Sequence, residues 1–69
     1  MKNKLPARLK EIREDRKLNQ QQLADAIMTW ERSIGRWERG EQIPSAENVF
    51  LLCEVLECSA DYLLGLKDE

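Results

Sequence analysis

The sequence predicts an all-α fold, a compact bundle of five short helices in a single domain over residues 1–69. Apolar residues recur at intervals of three and four positions, which is the spacing of a helix with one buried face. Apolar and polar residues do not alternate one by one, as they would along a half-buried strand. Residues that begin or end helices separate the periodic segments and leave only short loops, as in a compact bundle.

The first predicted helix covers about residues 6–17. Pro6 stands at its start, where the missing N–H of proline costs nothing and its fixed φ favours the helical turn. Leu5, Leu9 and Ile12 recur at helical spacing, so we expect these three side chains to face the core.

Capping residues indicate a second helix over about residues 20–27 and a third over about 30–38. Asn19 is a favourable N-cap, and Gln22 three positions later completes a capping box. Thr29 is the capping candidate for the third helix, which ends before Gly40. The residues expected to face the core are Leu23, Ala24, Ile27, Ile34 and Trp37.

The fourth and fifth helices are predicted over about residues 46–57 and 60–64. Ser45 and Ser59 are their N-caps, and Gly65 ends the last helix. The residues expected to face inward are Val49, Leu52, Cys53, Leu56, Tyr62, Leu63 and Leu64.

The fourth helix carries more apolar residues than one buried face needs, so another molecule is expected to cover part of it. We expect Phe50 to be buried within the monomer. The remaining apolar positions near the C-terminal end form the expected two-fold dimer patch, which consists of Leu51, Val55, Cys58 and Leu66.

Composition excludes several classes of protein. The chain is 42% hydrophobic and 35% charged, which is typical of a globular domain rather than a disordered segment. It contains no histidine, the commonest general base and nitrogen metal ligand, and no nucleophile–base pair or phosphate-binding loop is apparent. We expect no enzyme, no cofactor, no metal and no small-molecule ligand. No apolar run reaches the roughly 18 residues of a membrane span, so no membrane partner is expected.

Cys53 and Cys58 are the only cysteines. They lie five positions apart, so one continuous helix would not place both on the same face. No histidine is available to complete a zinc set. Two unpaired thiols without a secretion signal indicate a reducing, cytoplasmic location, and Cys53 is interpreted as a small core residue.

The net charge of −2 conceals opposite charges in the two parts of the chain. Residues 1–40 contain ten lysines and arginines against six acidic residues, whereas residues 41–69 contain one lysine against seven acidic residues. A basic half suggests a nucleic acid or another anionic partner, although chance explains such asymmetry in a short chain equally well.

The second and third helices, joined by a tight turn at residues 28–29, form a predicted helix-turn-helix. The later helix of such a pair is the one that lies in a DNA groove. Because Ile34 and Trp37 occupy its inner face, the opposite face is free to meet a partner. The outward residues are Glu31, Arg32, Gly35, Arg36 and Arg39.

Arg32 and Arg36 are four positions apart and therefore share one helical face. Arginine bonds bidentately to O6 and N7 of guanine in the major groove, so we expect one of the two to read a guanine. Glu31 either accepts from N4 of cytosine, orients a neighbouring arginine, or does neither. Gly35 either permits close approach of the backbone to DNA or is simply a tolerated small residue.

Gln20 and Gln21 begin the second helix, where free N–H groups favour an anion such as a phosphate. Arg39, Gly40 and Gln42, at and just after the end of the third helix, are further phosphate candidates, although Glu41 between them opposes this.

Four segments match one known family in order and spacing: LNQQQLA at 18–24, SIGRWERG at 33–40, PSAENV at 44–49 and SADYLLG at 59–65. Together they resemble the Cro/phage-repressor family of helix-turn-helix regulators over about residues 8–65. The resemblance implies a lambda-repressor-like domain, bacterial or phage-encoded, that binds a palindromic double-stranded DNA operator and represses or tunes transcription. It implies a homodimer, formed in solution or only on DNA. An alternative is an antitoxin-type interaction module that also binds its own operator.

The resemblance also assigns residue roles. Gln20 would contact a phosphate and brace the recognition helix, and Arg13 would form an ion pair with Glu38. The base-reading positions implied are Glu31, Arg32, Gly35 and Arg36, and Ser33 is expected to join them. From the residues and the resemblance together, the expected DNA-backbone positions are Asn19, Gln20, Gln21, Trp30, Arg39 and Gln42. The chain is expected to be either a stand-alone regulator or the DNA-binding part of a larger repressor.

Two residues depart from the family pattern. Trp30 stands where Ser or Thr is usual, so Thr29 is expected to cap the third helix and start it one residue early. Trp30 would then contact a thymine methyl, a sugar or a protein neighbour. Met28 stands where Gly is usual, and it is strained if the turn needs a positive φ.

Overall fold

The computed structural model describes residues 3–68, and this range contains five α-helices and no strand. The all-α prediction is therefore confirmed. The helices are α1 (Leu5–Asp15), α2 (Gln20–Ala26), α3 (Glu31–Glu38), α4 (Ala46–Leu56) and α5 (Ala60–Leu64). Among the described residues, no helix has the length and apolar character needed to traverse a lipid bilayer.

The helices enclose one apolar core. α1 packs against α3 and α5, α2 packs against α3, and α4 packs against α5. Burying these side chains removes apolar surface from water, which is the main force holding so short a chain together. The buried apolar residues are Leu5, Leu9, Leu23, Ala24, Ile27, Ile34, Trp37, Leu52, Leu56 and Leu63.

α1 begins one residue before and ends two residues before the predicted bounds of 6–17. The N–H of Leu5 donates to Oδ1 of Asn3 at 2.9 Å, which satisfies a backbone donor that helical bonds leave free. Lys17 has a left-handed backbone, with φ of 64°, and this conformation stops the helix. The N–H of Leu18 then donates to the carbonyl of Arg13 at 3.2 Å.

The predicted caps of α2, α4 and α5 are confirmed. Asn19 and Gln22 form a capping box, in which the side chain of each accepts from the backbone N–H of the other. Ser45 accepts from the N–H of Asn48 at 3.2 Å. Ser59 accepts from the N–H of Tyr62 at 3.0 Å.

The expectation for the start of α3 is wrong. α3 begins at Glu31, and Trp30 occupies the N-cap position in an extended conformation, without a capping side-chain hydrogen bond. Thr29 therefore does not cap the helix or start it early. Its N–H donates instead to the carbonyl of Ala24 at 2.9 Å, which holds it in the turn after α2.

α4 ends one residue before its predicted limit, because Glu57 is left-handed with φ of 55°. The expectation for one continuous helix does not apply to the cysteines, because Cys58 lies beyond the end of α4. The N–H of Cys58 donates to the carbonyl of Cys53 at 3.1 Å, which holds the two residues close together. A continuous helix would have separated them, whereas a left-handed residue folds the chain back. Cys53 is half-buried against the core.

Phe50 is not buried within the monomer, contrary to expectation. Its side chain is 60% exposed, because it lies on the face of α4 opposite the fully buried Leu52 and Leu56. α4 thus carries more uncovered apolar surface than the sequence interpretation assigned to it.

The end of the fold depends on Gly65. It has φ of 87°, and a Cβ added to it would lie 2.8 Å from Cβ of Lys4. Nearby, Arg8 donates to the carbonyls of Tyr62 and Lys67 and lies over the Tyr62 ring at 4.4 Å. These contacts hold α5 and the residues after it against α1.

Candidate functional site

α2, the turn that follows it and α3 form a helix-turn-helix. In the turn, the N–H of Met28 donates to the carbonyl of Asp25 at 3.2 Å. Met28 adopts φ of 58°, so the turn does need a positive φ at this position. Ile34 and Trp37 anchor the inner face of α3 in the core. The opposite face of α3 is therefore held in a defined position on the surface.

The outer face of α3 presents three charged side chains to solvent. Glu31, Arg32 and Arg36 are all exposed. Between residues 3 and 68, none of the three takes part in a side-chain hydrogen bond or ion pair, and Glu31 does not hold either arginine. Ser33 is half-buried between this face and the core. The two arginines thus keep their guanidinium donors available to a partner.

Gly35 lies beneath another residue of the predicted site. It is buried, and a Cβ added to it would lie 2.9 Å from Nη1 of Arg39. Arg39 in turn donates from Nε to Oε2 of Glu41 at 2.8 Å. This exposed pair lowers the pKa of the Glu41 carboxyl, to which the charge of Arg36 also contributes. Arg39, which is predicted to contact the DNA backbone, is therefore paired with Glu41 within the chain itself.

Glu38 joins α1, α2 and α3 in one hydrogen-bonded network. Arg13 donates from Nε to Oε2 of Glu38 at 2.7 Å and from Nη2 to Oε1 at 3.1 Å. Gln20 donates from Nε2 to the same Oε1 at 3.1 Å, and Arg13 also donates to the carbonyl of Leu18 at 2.8 Å. The hydrogen bond to Glu38 raises the pKa of Arg13. The network fixes α3 relative to the first two helices.

Asn19 and Gln21 also have partners in the structure. The side-chain oxygen of Asn19 is used in the capping box, and Nε2 of Gln21 donates to Oδ1 of Asp25 at 2.7 Å. Each side chain still carries an amide N–H for a further acceptor, because an amide NH₂ group has two donors.

Trp30 stands at the beginning of the outer face. Its side chain is 72% exposed, and that of the neighbouring Met28 is 95% exposed. A shallow groove beside Trp30 is lined by Gln21, Asp25, Thr29, Glu31 and Arg32. Gln42 lines a second groove together with Thr29, Ser33, Trp37, Ile43, Pro44, Ser45 and Asn48.

The expected dimer patch is a mixture of half-buried and exposed residues. Leu51, Val55 and Cys58 are half-buried and pack against the core, whereas Leu66 is exposed. Leu51 and Val55 are four positions apart on α4 and so share a face. In the part of the chain that the structure describes, no group of three or more potential ligand residues is arranged to hold a metal ion.

Sequence interpretation missed the partners that occupy several site residues. The resemblance implied that Gln20 braces α3, but its partner Glu38 follows from no local spacing, because the two residues are 18 positions apart. The pair of Gln21 and Asp25 is a contact between positions i and i+4 on one helix and could have been found from the sequence.

The profile of the helix-turn-helix family matches residues 9–63 of this sequence. The chain belongs to the helix-turn-helix family. The match begins in α1 and ends in α5, so it includes the network around Glu38 and the whole outer face of α3.

The sequence is similar to those of two helix-turn-helix proteins. The HTH-type transcriptional regulator DicA of Escherichia coli (strain K12) is 37% identical over 57 residues, which are 83% of this chain and 42% of that protein. Repressor protein C2 of Salmonella phage P22 is 37% identical over 57 residues, which are 83% of this chain and 26% of that protein. The curated relatives are therefore longer, and the matched part covers between 26% and 55% of their length.

A crystal structure of the P22 c2 repressor protein in complex with a synthetic operator has the same fold. It superimposes with a TM-score of 0.84 at 35% sequence identity and covers 87% of this chain and 91% of that one. The structural similarity thus extends over nearly the whole domain rather than the two central helices alone.

Proposed function

We propose that this chain is a sequence-specific transcriptional repressor that binds double-stranded operator DNA through α3. The observation that carries the proposal is the outer face of α3, where Arg32 and Arg36 are exposed and, among the described residues, make no side-chain hydrogen bond or ion pair. The relatives named as a repressor and a transcriptional regulator support the same reading, as does the fold shared with a repressor–operator complex.

The outer face of α3 supplies the base-reading groups of the proposal. Arg32 and Arg36 each offer two parallel N–H donors to O6 and N7 of guanine. Glu31 would accept from N4 of cytosine, and the half-buried Ser33 would reach the DNA from the surface groove that it lines with Gln42. Gly35 contributes through its small size, since a larger residue would push Arg39 outward.

The DNA backbone is contacted by residues on either side of this face. Three amide side chains donate to phosphate oxygens, namely those of Asn19, Gln20 and Gln21. Each uses an amide N–H that its hydrogen bond within the protein does not occupy. Arg39 and Gln42 approach the phosphates from the loop after α3. These contacts position the protein on the duplex without reading sequence.

Trp30 adds an apolar contact at the edge of the interface. A tryptophan side chain that is largely exposed beside the base-reading face loses water when it packs against a sugar or a thymine methyl. Arg32 lines the same groove, so the apolar ring and the charged reader act on neighbouring nucleotides.

A homodimer on a two-fold operator completes the proposal. Leu51 and Val55 on α4, followed by Cys58 and Leu66, form its contact, and the exposed Phe50 enlarges the apolar surface available. Residues 41–69 carry most of the negative charge, so a contact on α4 would place acidic residues away from the DNA phosphates.

Selection of binding sites from a random duplex library tests the proposal. We expect an enriched palindrome whose half-sites lie about one helical turn, roughly 34 Å, apart. Weak binding without enrichment, and with strong dependence on salt, would contradict it, because phosphate attraction alone behaves in that way.

Three variants then separate the roles on the selected site. Arg36→Ala should relax preference at one base pair, at a cost of about 1–3 kcal/mol for the correct base. Gln20→Ala should weaken binding to all sequences alike. Lys10→Ala, which removes an exposed charge from α1, is the control for lost charge outside the interface. An equal loss for every sequence with Arg36→Ala would remove this residue from the base-reading set.

A further inference from the structure

The C-terminal end of α4 brings the two cysteines of the chain together. Glu57 adopts the left-handed conformation, and the N–H of Cys58 donates to the carbonyl of Cys53 at 3.1 Å. This is the six-to-one hydrogen bond of a Schellman motif, whose two end residues characteristically place their side chains in contact. Here both end residues are cysteines, so the motif is expected to bring their two side chains together.

Arg16, the residue that follows α1, holds this turn in place. Arg16 donates from Nε to the carbonyl of Leu56 at 2.8 Å and from Nη2 to the carbonyl of Glu57 at 3.3 Å. The two carbonyls would otherwise remain without partners at the end of the helix. The separation of the thiols is therefore fixed by tertiary structure as well as by the local turn.

Both thiols are unpaired and half-buried. Burial raises the pKa of Cys53 to about 11 and also raises the pKa of Cys58, so both are protonated at neutral pH. Two features distinguish Cys58: it lines a surface groove with Ile12, Arg16 and Tyr62, and the charge of Arg16 opposes the rise in its pKa. Cys58 is thus the thiol that a reagent meets first.

We propose that Cys53 and Cys58 form a dithiol that closes reversibly into a disulfide when the chain meets a low-molecular-weight disulfide such as oxidised glutathione. Cys58 loses its proton to solvent, and its sulfur attacks one sulfur of the glutathione disulfide. A protein–glutathione mixed disulfide forms and one glutathione thiolate leaves. Cys53 then loses its proton and attacks the sulfur of Cys58, and the second glutathione leaves. The protein is oxidised by two electrons, and one glutathione disulfide is reduced to two thiols.

The folded chain should favour this closure more than the unfolded chain does. The disulfide would span six residues, from Cys53 to Cys58, and closing such a loop in an unfolded chain costs conformational entropy. The folded turn has already met that cost, because the Schellman hydrogen bond and Arg16 hold the two ends together. The proposal is independent of DNA binding and needs only the folded monomer.

Equilibration of the whole chain with mixtures of oxidised and reduced glutathione tests the proposal. The reaction is stopped with acid, the remaining thiols are alkylated, and the products are weighed by mass spectrometry. The ratio of closed disulfide to dithiol, compared with the glutathione ratio, gives the effective concentration of one thiol near the other. We expect this value to be roughly thirtyfold higher in buffer than in concentrated guanidinium chloride, from the entropy of closing so small a loop.

Three outcomes would overturn the proposal. These are an effective concentration equal in the folded and unfolded chains, a product that remains a glutathione mixed disulfide, and a disulfide between two chains. Cys53→Ser and Cys58→Ser are matched controls, because each leaves one thiol and should give only the mixed disulfide. The comparison of folded with unfolded wild-type chain does not depend on either variant folding.

Discussion

Substitution of Glu38 by glutamine should destabilise the fold out of proportion to the size of the change. The side chains of Glu38 and Arg13 are only 4% and 9% exposed, and Glu38 accepts three hydrogen bonds from Arg13 and Gln20. Glutamine keeps the shape of glutamate but offers one acceptor oxygen in place of two. Its NH₂ group would face donors, and the charge of Arg13 would lose its partner.

The magnitude follows from the burial of the pair. Removing one partner of a buried ion pair costs about 3–5 kcal/mol, because a charge is left without compensation. The carbonyl of Leu18 still accepts from Arg13, so we expect the lower end, about 3 kcal/mol. A chain of this size has about 3–10 kcal/mol of stability in total, from roughly 0.05–0.15 kcal/mol per residue. The melting temperature should fall by roughly 12–24 °C.

Urea unfolding followed by tryptophan fluorescence measures this loss. Trp37 is 3% exposed and becomes solvated on unfolding, whereas Trp30 is already exposed and contributes little change. Glu54→Gln is the matched control, since Glu54 is exposed on α4 and the same substitution there should change stability by less than about 0.5 kcal/mol.

A loss below about 1 kcal/mol with Glu38→Gln would refute the reasoning, because the carboxylate would then not be compensating a buried charge. The double variant Arg13→Met with Glu38→Leu adds a second test. Replacing both partners of a buried pair with apolar residues of similar volume is often neutral, so this variant should recover most of the loss. If it remained as unstable as Glu38→Gln, the cost would lie elsewhere than in the unpaired charge.

Three further predictions concern the surface of the helix-turn-helix. Met28→Gly should stabilise the chain by about 1 kcal/mol in urea unfolding, since it relieves a left-handed methionine that is almost fully exposed; a destabilised variant would contradict this. Glu41→Gln should release Arg39 from its ion pair and so strengthen binding to every DNA duplex. The logarithm of the binding constant should then depend more steeply on the logarithm of the salt concentration, by about one in the slope. Unchanged affinity and slope would exclude Arg39 from the phosphate contacts. Trp30→Phe should leave only the shielded emission of Trp37, and quenching by acrylamide should fall sharply; equal quenching in both proteins would show that Trp30 is not the exposed ring.

The bounds of four of the five helices could be predicted to within one residue, because local signals determine them. Ser45 and Ser59 cap their helices through bonds to residues three positions later, which do not depend on distant parts of the chain. The apolar spacing of α3 identifies Ile34 and Trp37 as core residues. The error at the end of α1 has a specific cause. Lys17 adopts a left-handed conformation, which in most helices is found at a glycine or asparagine. Because lysine is not typical of this position, the sequence did not indicate that the helix ends here.

The site was less predictable than the fold because its residues are set by contacts between distant parts of the chain. The spacing of Arg32 and Arg36 was sufficient to place both on one exposed face. Glu41 was expected to oppose phosphate contacts by its neighbours, but its spacing to Arg39 did not indicate that the two side chains pair, or that Arg39 covers Gly35. The closeness of the two cysteines was missed for the same reason as the end of α1, namely a left-handed residue without glycine.

In the proposed repressor, the two sides of α3 divide stability from recognition. Its inner side chains and Glu38 carry the packing and the buried charge, whereas Arg32 and Arg36 are exposed and form no ion pair within the described residues. Substitutions on the outer side should therefore alter the preferred DNA sequence while leaving the unfolding free energy within about 0.5 kcal/mol. A regulator built in this way can acquire new target sites one substitution at a time, and none of the intermediate variants needs to lose folding stability.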